Sequence, residues 1–317
     1  MCQVADIASV ENCHKVSQKP IHPKVNTVEN LKLRNVLLVL VALTLTACQG
    51  SLLKKAATDF DKASQVASSG TLSLLNDYDA AQKWKASFEN EEIDLNPPRI
   101  EALVAYPTYS DTAVRLASIK SLALYAEALG KLASIGSAKS NGDALKGLGA
   151  SIKQSGSSKA DDWGKLVGQL ASLITDAKVG AQINQIALTA NPTVQELISK
   201  LSGDLALIRP TVNNILNDQY TRLRNAHSEL GCSVSCTKVQ KLNSTRLVLE
   251  MSALLEKRSH LTMRTEKAVA ALTAMATAHT ALTQKASGQN KTLLRDSIVA
   301  YIKAANDLQD LLIKLEV

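Results

Sequence analysis

Residues 191–216 read NPTVQELISKLSGDLALIRPTVNNIL, and their spacing decides the fold. Val194, Ile198, Leu201, Leu205, Ile208, Val212 and Ile215 recur at alternating intervals of four and three. That period brings every apolar side chain to one stripe of an α-helix and leaves charged residues on the other face. A strict four-three stripe is the seam of a coiled-coil-like pair. Asn191-Pro192 is expected to start this helix as N-cap and first helical residue. Pro210, off the seam, is expected to kink it, because proline offers no N–H to the carbonyl of Ala206.

Working outward, Leu247, Leu254, Leu261, Ala268, Met275 and Leu282 repeat every seven residues. Leu294, Ile298, Tyr301, Ala305, Leu308, Leu312 and Leu315 keep the four-three spacing again. The expected architecture is all-α: an elongated antiparallel bundle with a long hairpin over about 192–285 and a C-terminal helix. Its two arms are expected at 192–230 and 237–285, which leaves a short connection at the tip. Asp111 to Ile135 is apolar almost all round, as a helix in the middle of a bundle is. A looser helix is expected from Thr58 to about Glu89, and another from Trp163 to about Thr189. Between them, residues 136–164 hold six of the fourteen glycines and read as a mobile insert. Aromatic residues make up only 3% of the chain, which suits a slender body packed through Leu, Ile, Val and Ala.

The N-terminal part has a different plan. Lys32 and Arg34 precede about ten apolar residues, Val36 to Leu45, a run too short to span a bilayer, which takes roughly 20. Leu45-Thr46-Ala47-Cys48 follows. A basic lead, a short apolar core and a small residue before the cut are the plan of a secretory signal peptide. The four-residue end resembles the lipobox of bacterial lipoproteins. That resemblance implies cleavage before Cys48, a diacylglycerol on its thiol and a lipid-anchored mature chain. With Gln49 next, it points to the periplasmic face of the outer membrane of a Gram-negative cell. Four segments are therefore expected: 1–30, a leader from a mis-assigned start; 31–47, the signal peptide; 48–57, a lipidated tether; and 58–317, one helical bundle. Within 1–30 the composition is polar, without sustained periodicity, and Leu31 is the expected start.

The chain carries 36 Lys and Arg against 29 Asp and Glu, a net charge of +7. Without residues 1–47, which hold five bases and three acids, the balance is 31 to 26. A mild positive charge tolerates an anionic envelope polymer or an envelope protein as partner and singles out neither. The expected address excludes nucleic acid.

Of the five cysteines, Cys232 and Cys236 fall at the expected hairpin tip. An oxidising compartment makes a disulfide the first reading, with a metal site as the alternative, although two thiolates are too few. Such a bridge would stop the tip fraying, or would present Ser233, Val234 and Ser235 as a contact surface.

No catalytic motif stands out. Ser51 to Lys54 matches Ser-x-x-Lys without its companion motifs. His279 lies on an apolar stripe, where a hydrogen-bonded core role is expected. His227 and His260 fall on opposite arms. Glu91, Glu92 and Asp94 are the one acidic cluster that could line a cleft. The chain is therefore not expected to be an enzyme, and no cofactor or metal is expected. The reading is a structural or protein-interaction module. The alternative is an immunity or exclusion lipoprotein that binds an incoming toxin or phage factor.

Overall fold

The structure is a computed structural model. It describes residues 27–89, 110–134, 137–177, 183–231, 236–284 and 289–315. The chain divides into two units, residues 1–47 and Cys48–Val317. Described residues of the first unit are helical from Thr27.

Seven helices, and no strand among the described residues, make up the fold. They are α1 (Thr27–Glu89), α2 (Ser110–Ser134), α3 (Lys139–Lys153), α4 (Ala160–Thr175), α5 (Ile183–Glu229), α6 (Lys238–Leu282) and α7 (Gln289–Leu315). The second unit is an elongated antiparallel bundle around the α5–α6 hairpin. Three pairs fix the hairpin's register. Gln195 donates to the carbonyl of Ala276 (2.8 Å), Arg209 pairs with Glu266 (3.0 Å), and His227 meets Ser244 (2.9 Å). At 1.5 Å per residue, helices of 47 and 45 residues run to about 70 Å each.

Helix α7 folds back along α6, where Lys267 bonds Asp307 at 2.9 Å. Helix α1 runs beside both. Phe60 packs on His279 and Tyr301, Gly70 lies against Leu308, and Arg264 binds Asp77 and Ser73. Thus α1 climbs in the direction of the hairpin turn. Helix α2 descends beside it, from Arg115 over the Tyr78 ring to Gly130 against Asp61. It is buried on nearly every side, as its apolar circumference requires.

Three expectations are revised. Asn191-Pro192 does not begin a helix, because α5 starts at Ile183 and runs through Pro192 and Pro210. Each proline leaves one carbonyl unbonded, that of Leu188 or of Ala206. Both residues are exposed, so water can serve those carbonyls, while the buried row Ile183, Ala187, Ala190, Val194 continues past the first proline. The preceding helix correspondingly stops at Thr175 rather than Thr189.

The glycine-rich stretch 136–164 is not a loose insert. Residues 139–153 form α3, with Leu145 and Ile152 buried. Its glycines are packing devices: a Cβ on Gly142 would lie 2.5 Å from Thr175 Oγ1, and Gly149 faces Gly164. Close helix approach offsets what glycine costs in propensity.

The stretch 48–57 is helical, and Ala56 and Ala57 are already buried. Asp111 stands inside the first turn of α2. Its carboxylate accepts from Ser157 at 2.6 Å, so it ties α2 to the α3–α4 connection.

Candidate interaction site

The centre of the bundle is polar yet closed. Asn191 Oδ1 lies 2.9 Å from His279 Nδ1, and His279 Nε2 lies 2.9 Å from the Tyr125 hydroxyl. An amide oxygen only accepts, so Nδ1 carries the proton and Nε2 accepts from Tyr125. Phe60 covers the imidazole, and Tyr301 donates to Ser64 at 3.0 Å behind it. Burial drives the His279 pKa down to about 3 and pushes both tyrosine hydroxyls up. This His is neutral, fully bonded and shut off from solvent, so it holds helices together and cannot exchange protons with a substrate. The expected core role is what the geometry shows.

A second buried cluster joins α2, α4 and α5. Asp204 accepts from Arg115 Nε (2.8 Å) and from Lys159 Nζ (2.6 and 2.8 Å). Arg115 also lies over the Tyr78 ring, 5.7 Å from its centroid. One carboxylate between two cations is an electrostatic clamp. It has no free base or nucleophile.

A groove of about 600 Å³ opens between α1, α2 and α3, with Leu72, Leu124 and Leu148 on its walls and Lys120 at its edge. Nearby, burial raises the Asp61 carboxyl above its usual range. Among the described residues no group of His, Cys, Asp or Glu could hold a metal ion. No described helix is long and apolar enough to cross a membrane.

The hairpin arm is built differently from the bundle. Beyond Leu216 on α5 and before Leu261 on α6, Leu247 is the one buried apolar residue among those described. Tyr220, Leu223, His227 and Leu230 form a half-buried inner seam against Gln240, Ser244, Met251 and Leu254. Opposite that seam, the outer face of α6 is left to solvent. His260 lies 3.8 Å from Glu256 on its own helix, so the two arm histidines serve separate local contacts.

The turn itself is set by local rules. Gly231 ends α5 with φ +60°, a left-handed conformation that glycine takes without steric cost. Thr237 starts α6 through a capping box: its Oγ1 accepts from Gln240 N (3.2 Å), and Gln240 Oε1 accepts from Thr237 N (3.0 Å). The Thr-x-x-Gln signature was there to be read in the sequence. Cys236, just before the cap, is disulfide-bonded. Cys232, Ser233, Val234 and Ser235 lie outside the described residues, as do Glu91, Glu92 and Asp94. Cys48 is the first residue of the second unit, and its side chain is outside the described set.

No family model matches the chain, and neither a curated protein nor a solved structure is significantly similar to it.

Proposed function

We propose that the chain is an outer-membrane-anchored lipoprotein, held by a lipid on Cys48, whose hairpin arm carries a contact surface away from the membrane to an envelope partner. The single observation that carries this reading is the placement of the two ends. Phe60 of α1 and His279 of α6 share one level of the bundle. From there α6 extends 41 residues to Lys238 in one direction, and α1 extends 12 residues back to Cys48 in the other. At 1.5 Å per residue the anchor and the arm's end stand about 80 Å apart. A rigid spacer with a lipid at one end and a sparsely covered arm at the other suits presentation at a distance. The lipobox resemblance supplies the anchor, and a Cys232–Cys236 bridge would brace the turn.

Metabolic labelling with a clickable fatty acid, followed by membrane fractionation, tests the anchor. Wild type should take the label and float with outer membranes, and Cys48→Ser should do neither. Equal label in both proteins refutes the anchor. A photo-crosslinker at Val234 should capture one discrete envelope protein, and no capture from any face of the arm refutes docking.

A further inference from the structure

The outer face of α6 in the arm has a defined chemistry. Leu242 and Leu249 are 71% and 65% exposed and lie two turns apart on one line. Val239, 67% exposed, Arg246 and Ala253 form the row beside them. Lys238 and Lys241 flank the other side. From Arg222 to Glu250 the chain carries five Lys and Arg against two acids, Glu229 and Glu250, of which Glu250 pairs with Arg246 at 3.4 Å. Large leucines left this exposed, twice at an interval of seven, are a helix seam without its partner.

We infer that this ridge binds an acidic amphipathic helix of a partner protein, which completes a three-helix bundle with the two arm helices. The inference rests on the docking reading above and names the chemistry of the partner. The seven-residue interval matches the period of a helix laid alongside. The ridge is one helix wide, because Lys238 and Arg246 close in on the leucines from both sides. A helix that lies in a bilayer surface shows a broader apolar face. A second copy of this chain would bring bases against bases, whereas glutamates flanking a leucine seam would meet Lys238 and Lys241 and share Arg246 with Glu250.

The test uses the full chain and a synthetic helix of about four heptads, with leucines at the seam and glutamates beside them. A counterpart with lysines in place of the glutamates is the control. Fluorescence anisotropy should show binding of the acidic peptide, weakened by salt, and none of the basic one. Leu242→Ser, Leu249→Ser and Arg246→Glu should each weaken it by about tenfold. Because these side chains are exposed, circular dichroism melts of the variants should match wild type, which separates lost binding from lost folding.

Absence of acidic-peptide binding, or equal binding by the variants, overturns the inference. So does binding, through the same leucines, to vesicles of anionic phospholipid but not to the peptide, since that makes the occupant a lipid surface. Self-association abolished by Leu242→Ser in sedimentation assigns the ridge to a second copy and overturns it too. In cells, crosslinkers at Leu242 and Leu249 should reach an acidic helix, while those at Val248, Leu255 and Arg224 should not. Crosslinks from the second group alone leave docking intact and sink the ridge. Crosslinks from neither group sink both readings.

Discussion

Replacing His279 with Leu probes the centre of the bundle. Leucine restores most of the volume but neither hydrogen bond. The Tyr125 hydroxyl then loses its partner inside a fully buried site, and Asn191 Oδ1 keeps only the longer 3.3 Å bond from Gln195. A buried hydroxyl left unpaired costs about 1–3 kcal/mol, and the altered shape adds about 1. The single substitution should therefore destabilise the chain by about 2–4 kcal/mol in urea unfolding followed by circular dichroism. Adding Tyr125→Phe removes the orphaned hydroxyl, so the double variant should recover about 1–2 kcal/mol relative to additivity.

The same variant carries a pH signature. The His279 pKa is about 3 folded, against about 6.5 for a free histidine. The unfolded chain therefore binds the proton first, and stability falls as pH drops from about 6.5 toward 3. The slope approaches about 1.4 kcal/mol per pH unit below pH 6.5, so wild type should lose about 2 kcal/mol between pH 6.5 and 4.5 beyond what His279→Leu loses. Carboxylates titrate in both proteins and cancel in the comparison. Additive single substitutions, or parallel pH profiles for wild type and variant, would refute the assigned bonding.

Two further substitutions test the packing. Gly142→Ala should lower the melting temperature even though alanine favours helix by about 1 kcal/mol. The new Cβ meets Thr175 Oγ1, which is held by its bond to the Ala171 carbonyl, and overpacking costs about 1–3 kcal/mol; a stabilised variant would show that α3 sits farther off. Asp204→Asn should cost about 3 kcal/mol in urea unfolding, because it strips the shared counter-charge from the mostly buried Arg115 and from Lys159. A change below about 0.5 kcal/mol would mean the cluster is solvated.

Periodicity was enough to read the helices, because a bundle buries one stripe per helix and that stripe is written in the chain at intervals of three and four. The seam through Val194 and Ile215, the row from Leu247 to Leu282 and the apolar circumference of α2 all declared themselves this way. His279 was legible as a core residue because it sits between Met275 and Leu282 on such a stripe. Its partners were not: Asn191 and Tyr125 lie 88 and 154 residues away, and nothing local marks them.

Local propensity misled where tertiary contact outweighed it. Asn191-Pro192 has the composition of a helix start, yet packing on α6 carries α5 through it, and the side chain expected to cap bonds His279 instead. Glycines at 142 and 149 suggest a loop, yet they let α3 approach its neighbours closely, a gain that exists only once those neighbours are in place. The exposed ridge at Leu242 and Leu249 could not be told from core by composition, since a leucine on a helix reads alike on either face. Only the position of α5 on one side of α6, and of solvent on the other, separates them. The sequence by itself thus determined the fold class and the stripes. The tertiary structure decided which stripes meet, because burial is a property of pairs of surfaces and a single helix carries only half of each pair.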